Sequence, residues 1–313
     1  MDKKLNYKPF PFQPARLLRL LFDQPYLLLL FPPLFWSGNF IIGRAVWAEV
    51  PPVGLAFWRW CGGSILLLLF TWPYLQRDWP RLRGHWGIII LLSFLGVAAF
   101  NTLVYTGLRS TTAINALLLQ SMMPVMIVLI SFLFLRETVG PLQIAGIILS
   151  LAGVTTIIAQ GDIHILATLS LNIGDVLIFI AVIGYAVYSI WLRRRPALHP
   201  LSFLTITFII GALLLLPLYL WESWAVQPVS FDRVTLLTIG YVAIFPSILA
   251  YLCYNRGVEL AGASRAGLFV HLMPVFGSIL AMIFLGERFH WFHGLGIGLI
   301  LAGIVLATRP RNK

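Results

Sequence analysis

The fold class this sequence predicts is an all-α integral membrane protein: ten transmembrane helices, arranged as two inverted five-helix repeats around a central cavity. Three observations carry that expectation. The 313-residue chain is 59% hydrophobic and only 11% charged, where an average soluble protein is about a quarter charged. Apolar runs of spanning length follow one another along it. One long pattern is written twice, 150 residues apart.

The spans are expected near 25–44, 53–75, 86–108, 113–135, 141–160, 171–192, 200–221, 234–258, 264–285 and 290–308. Each runs to roughly 20 residues, enough at 1.5 Å per residue for a hydrocarbon core of about 30 Å. Basic residues mark most of the joints. Lys3, Lys4, Lys8, Arg16 and Arg19 precede span one, which Arg44 closes. Arg77, Arg81 and Arg83 follow span two, Arg109 span three and Arg136 span four. A longer loop, Gln160 to Ser170, follows span five, and Arg193, Arg194 and Arg195 follow span six. The loop Glu222 to Arg233 follows span seven, and Arg256 and Arg265 lie around the joint of spans eight and nine. Arg288 precedes span ten, and Arg309, Arg311 and Lys313 follow it. All ten should be helices, because lipid offers no partner to a free backbone amide. The organisation expected is an N-terminal segment 1–24, a first repeat 25–160, a second repeat 171–308 and a tail 309–313. The basic start reads as leading into a first anchor, not a cleaved signal peptide.

The charge distribution orients the chain. With the N-terminus placed in the cytoplasm, seventeen Lys and Arg residues fall on cytoplasmic segments and four (Arg44, Arg109, Arg233 and Arg288) on external ones. Arg59 lies within a span. Cytoplasmic loops carry the excess of basic residues, so both termini are expected in the cytoplasm and the protein in the cytoplasmic (inner) membrane. The same placement explains the net charge of +11 without nucleic acid, since no basic domain stands outside the membrane runs. Cys61 and Cys253 both lie in apolar runs, so no disulfide framework is expected.

In the repeat, residues 123–154 and 273–304 share twelve identities in 32 positions without a gap. Met123, Pro124 and Val125 fall on Met273, Pro274 and Val275; Phe134, Leu135 and Glu137 fall on Phe284, Leu285 and Glu287. Gly146 and Gly153 fall on Gly296 and Gly303. Shared apolar composition would not align a proline, an acid and two glycines in register. Five spans per half is an odd number, so the second half enters the membrane inverted. Inverted repeats characterise secondary transporters, with the solute site near the midplane between the halves.

The doubled pattern, "MPV…FLGE…GLGIGLILAGI" with its earlier copy "MPV…FLRE…IAGIILSLAGV", resembles the EamA branch of the drug/metabolite transporter superfamily. The resemblance spans essentially the whole chain. It implies two inverted five-helix halves, a cavity between them, spans five and ten at the periphery, and movement of small solutes, commonly export. It carries no universal binding residue, so none is assigned from it.

Polar residues inside spans are costly in lipid and usually face a cavity or a partner. The candidates for the solute cavity are Asn39, Arg59, Asn101 and Gln120 in the first half, with Tyr185, Tyr188, Tyr251, Tyr254, Asn255 and His271 in the second. Taken singly, each is first a helix–helix contact. As a set from several spans at similar depth, they suggest a chamber. Arg59, flanked by Trp58 and Trp60, has no acid deep in any span to pair with. It either receives an anionic group such as a solute carboxylate or, the simpler expectation, snorkels outward toward Glu49 or a backbone carbonyl. Pro124 and Pro274 either gate their spans or fix a kink. Glu137 and Glu287 should pair near the surface with Arg136 and Arg288. The small-residue stripes Gly294, Gly298 and Ala302 in span ten, and Gly146 and Ser150 in span five, serve packing within the monomer first and a homodimer through those spans second.

No paired carboxylate, metal-ligand spacing, phosphate-cradling loop or activated nucleophile is visible; His290 and His293 are weak as a metal pair. No metal, cofactor or catalytic residue is expected, and the bilayer and a small-molecule solute are the expected partners. The reading is an alternating-access carrier of small metabolites, amino acids or related amphipathic solutes first, in the direction of export. A membrane-embedded lipid enzyme stands second and a passive channel third. Because His271 is the one mid-span group able to titrate near neutrality, facilitated diffusion is the simplest mode, with proton exchange open only through His271 or the solute.

Overall fold

A computed structural model describes residues 22–46, 49–137, 139–162, 164–167, 170–285 and 288–309, with the side chains of Arg44, Ala113, Ile114, Ala281 and Leu285 excepted. The basic residues Lys3 to Arg19, Glu287, Arg311 and Lys313 lie outside the described residues. Among the described residues ten helices are long and apolar enough to cross a membrane: α1 (Pro25–Gly43), α2 (Pro52–Leu82), α3 (Trp86–Gly107), α4 (Asn115–Leu135), α5 (Pro141–Ile158), α6 (Ile173–Arg194), α7 (Pro200–Ala225), α8 (Arg233–Ala261), α9 (Ala263–Phe284) and α10 (Trp291–Thr308). The described residues contain no strand. Outward positions are apolar in matched pairs: Phe134 and Phe284, equivalent in the repeat, are 77% and 76% exposed. That exposure suits lipid tails and would be a liability in water.

The repeat is visible in irregularities that no composition argument could align. Helix α3 opens into a wider π-helical turn over Phe94–Ala99, and α8 does the same over Ile244–Leu249, 150 residues later. Such bulges leave carbonyls off the regular ladder and recur at functional sites. Helices α4 and α9 are interrupted at equivalent places. The first breaks at Met122, and the second passes through a tight turn at Phe269–Leu272. Pro124 opens the helical segment Met123–Leu135, and Pro274 stands second in Met273–Leu285. A proline is tolerated in a first helical turn, where its missing N–H has no intrahelical role. The two prolines therefore begin second segments; the irregular turn lies just before each.

Two antiparallel pairs frame the bundle. Helices α2 and α7 cap each other. Asp78, near the end of α2, accepts a hydrogen bond from the His199 N–H at 2.8 Å, at the start of α7. Glu222, near the end of α7, accepts from Gly54 N–H at 2.7 Å and Val53 N–H at 3.2 Å, in the first turn of α2. Carboxylates at helix N-termini satisfy orphan N–H groups and complement the dipole. Both acids are buried. Both helices run past the expected ends at 75 and 221, which is how these acids come to lie inside helices yet near their ends.

Helices α5 and α10 pack on glycines. A methyl on Gly153 would stand 2.6 Å from the Gly296 carbonyl oxygen, and one on Gly146 2.5 Å from that of Gly303. Close backbone approach of this kind holds helices together where lipid removes the hydrophobic drive. The face of α10 used in this contact is Gly296 and Gly303. The stripe Gly294, Gly298 and Ala302 points outward, and Gly298 has open space around it.

Candidate functional site: a donor-lined chamber between the halves

A small cavity lies between the two halves, lined by Trp36, Asn39 and Phe40 of α1, Phe100, Asn101 and Val104 of α3, Gln120 and Met123 of α4, Tyr185 of α6, and Val270 and Met273 of α9. Its free space of about 10 Å³ is room for one water, so the chamber is closed in this state. The irregular backbone of α4 and α9 borders it directly. Four of the candidate residues, Asn39, Asn101, Gln120 and Tyr185, meet here.

Arg59 stands behind this wall, only 1% exposed. It does not snorkel toward Glu49; it points into the protein. Its Nε donates to the Ser247 hydroxyl at 2.5 Å and its Nη2 to the Pro246 carbonyl at 2.9 Å. Its Nη1 donates toward Asn101 Oδ1 at 2.8 Å, the Tyr105 hydroxyl at 2.9 Å and Asn39 Oδ1 at 3.2 Å. The Trp60 ring lies 4.7 Å from the guanidinium carbon, a favourable cation–π contact. The π bulge of α8 is what makes this seat, because both Pro246 and Ser247 lie in it. All these oxygens are neutral. The outward reading failed because snorkelling needs a path to water, and here the bulge and two amides solvate the cation where it stands.

Arginine only donates. Its bonds therefore fix which way both asparagines face. Asn39 Oδ1 takes bonds from Arg59 and from the Tyr105 hydroxyl, the latter at 2.6 Å, and Asn101 Oδ1 takes one from Arg59. Each amide nitrogen is turned away from the cation. Asn101 Nδ2 has no hydrogen-bond partner, and neither do Gln120 Nε2 and the Tyr185 hydroxyl. Buried polar groups are usually paired, and three of the unpaired ones belong to residues that line this one small cavity.

The other candidates divide. Tyr185 is the hub of four buried tyrosines, with ring centroids 5.1 Å from Tyr188, 5.6 Å from Tyr254 and 6.2 Å from Tyr251. Their hydroxyls are tied elsewhere. Tyr251 donates to the Gly96 carbonyl in the α3 bulge, Tyr188 donates to Asn255 Oδ1 at 2.9 Å, and Tyr254 bonds Ser189 at 2.7 Å. A second recess holds Asn255, the residue Tyr188 bonds, with Arg195, Arg256 and Glu259. His271 stands apart from the chamber. Its Nε2 donates to the Ser121 carbonyl at 2.8 Å and its Nδ1 bonds the Ser150 hydroxyl at 2.7 Å, joining α9 to α4 and α5. Glu137 pairs with Arg193 at 2.6 Å, across to α6, and not with its neighbour Arg136. His293 Nδ1 accepts from the His290 N–H as a cap for α10. Two chamber features were not singled out beforehand. Tyr105 and Ser247 complete the arginine's seat; the bulge that presents Ser247 is a backbone feature, and FLGVAA and IFPSIL share no residue in register, so the sequence carried no signal for it.

The family model of the EamA-like transporter family matches residues 24–159 and again 172–309. The chain belongs to this family. An uncharacterized transporter of Bacillus subtilis (strain 168), YyaM, is 29% identical over 90% of this chain and 93% of its own length. An uncharacterized transporter of Archaeoglobus fulgidus is 28% identical over 93% of this chain and 99% of its own. One solved crystal structure superposes with a TM-score of 0.72 at 18% identity, covering 91% of this chain and 96% of that one; it shows the shared fold. The protein is a multi-pass membrane transporter of the EamA-like family.

Proposed function

We propose that this transporter carries small amphipathic metabolites, amino acids and their relatives first, outward across the cytoplasmic membrane by alternating access, with both termini in the cytoplasm. The observation that supports it best is the closed chamber at the interface of two inverted halves, lined by the amides of Asn39, Asn101 and Gln120 together with the rings of Trp36, Phe100 and Tyr185. Halves of like build and opposite direction give two states of similar energy, each open to one side. A metabolite efflux screen of cells with and without the protein tests the solute class. The expected result is faster loss of one or a few amphipathic metabolites, and equal profiles would refute it. Topology is tested by a thiol at the exposed Ser230→Cys, which should label from outside in intact cells; labelling only after permeabilisation contradicts the orientation.

The mode proposed is facilitated diffusion. In proteoliposomes the solute should equilibrate and not accumulate when a pH gradient is imposed. Uphill accumulation that persists in His271→Gln would show a coupling site elsewhere.

A further inference from the structure

The chamber presents donors backed by an unneutralised cation, and that combination selects a charge. We propose that the solute is an apolar-tailed monocarboxylate, held by its carboxylate against Asn101, Gln120 and Tyr185, with Arg59 as the positioning residue behind them; this rests on the transport reading above. The argument has three steps. Arg59 is buried, and among the described residues no carboxylate bonds to it. A guanidinium is a permanent cation, and a buried charge without a partner is costly. A ligand bringing one negative charge close by is favoured in the low dielectric of this interior. Next, the arginine holds Asn101 Oδ1, so the face Asn101 gives the chamber is N–H₂. The unpartnered Asn101 Nδ2, Gln120 Nε2 and Tyr185 hydroxyl can together donate to two carboxylate oxygens. Last, apart from Asn39 the rest of the lining is apolar, Trp36, Phe40, Phe100, Val104 and Val270 among it, a bed for a ring or a branched chain. One positive charge matches a monoanion; a phosphate dianion would leave a buried negative charge over.

The test uses purified full-length protein in detergent at neutral pH, with benzoate, benzylamine, benzyl alcohol and inorganic phosphate as probes. Benzoate should raise the thermal unfolding midpoint in a saturable way, while benzylamine and benzyl alcohol should not, and phosphate should not displace benzoate. The decisive variant is Asn101→Asp, which supplies the missing carboxylate from inside. It should unfold at a higher temperature than wild type when unliganded and bind benzoate at least ~10-fold more weakly, the equivalent of losing one charge-assisted hydrogen bond. A purely structural Asn101 would give lower stability instead. Tyr185→Phe should weaken benzoate roughly tenfold with the unliganded midpoint little changed. Benzylamine binding as well as benzoate, phosphate displacing it, no saturable benzoate binding, or unchanged benzoate affinity in Asn101→Asp would each overturn the proposal. If wild-type proteoliposomes move amines or neutral solutes but no carboxylate, this inference fails while the transport reading stands; if no metabolite moves at all, the transport reading itself fails.

Discussion

The widened turn at Phe94–Ala99 and the one at Ile244–Leu249 are the same backbone device at equivalent places in two halves, and they are filled differently. The carbonyl of Gly96 takes its bond from the Tyr251 hydroxyl. The equivalent carbonyl, of Pro246, takes bonds from Arg59 and from Trp36 Nε1 at 3.1 Å. A neutral phenol answers one bulge and a cation answers the other. Both donors come from the opposite half of the chain, so each bulge also fastens the halves together. The lesson is a division of labour. Backbone symmetry gives the two halves one shared device, and side-chain asymmetry sets a cation against one copy and a neutral phenol against the other.

The largest effect tests that asymmetry directly. Arg59→Met removes five hydrogen bonds at once. Pro246 keeps Trp36 and Asn39 keeps Tyr105, but Asn101 Oδ1 loses its donor. The loss should be roughly 3 kcal/mol, since a hydrogen bond to a charged group contributes about 1.5–3 kcal/mol. Tyr251→Phe frees one carbonyl and should cost about 1 kcal/mol. Chemical denaturation of both variants checks the ratio; equal losses would mean the two bulges are energetically alike. Next come the glycines. Gly153→Ala forces a methyl toward the Gly296 carbonyl and should cost about 1–3 kcal/mol by overpacking, whereas Gly298→Ala, in open space, should stay within about 0.5 kcal/mol. A large loss at Gly298 would mean that outward stripe is covered, as in the homodimer considered from the sequence, and light scattering would then report a dimer that the variant dissociates.

The mutual caps of α2 and α7 should be a matched pair. Asp78→Asn and Glu222→Gln each weaken one charged cap and should cost about 1 kcal/mol apiece, read as shifts in thermal midpoint. Unequal losses would show that the two ends of this helix pair are not equivalent. The smallest effect is a pH dependence at His199, whose ring stacks on Tyr74 at 4.0 Å. Burial holds its imidazole below the ordinary value of 6.5, with the Asp78 carboxylate opposing and Arg77 assisting. The folded protein thus prefers neutral His199. Its contribution is fully present above 6.5 and is lost as pH falls from there through the depressed folded value. Wild type should therefore lose stability on mild acidification relative to His199→Gln, and parallel pH profiles would contradict this.

Much of the fold was legible because its causes are local. Spanning length, the basic joints and the doubled Met-Pro-Val each sit in consecutive residues. What was not legible depends on three-dimensional partners. Nothing in "FWRW" says whether Arg59 finds acceptors inside or must reach for water; Ser247, 188 residues away, decides it. The same holds for His271, whose depth is readable but whose ring turns to Ser121 and Ser150 and not to the chamber. The tyrosines were legible as a set, yet only Tyr185 keeps a free hydroxyl, because Gly96, Asn255 and Ser189 occupy the others. On α10 the four-residue stripe was real, but the packing face is the seven-residue pair Gly296 and Gly303. The period that pattern-reading prefers was not the one the close contact uses.

Whether the closed chamber opens to each side in turn is best asked at Met123, a lining residue 2% exposed in this state. In a background with Cys61 and Cys253 replaced by alanine, Met123→Cys would be exposed to a membrane-impermeant methanethiosulfonate, applied to right-side-out and to inside-out vesicles. The account predicts labelling from either side, with no reagent leaking through to the far compartment. Labelling from one side alone, from neither, or with free passage of the reagent would contradict alternating access.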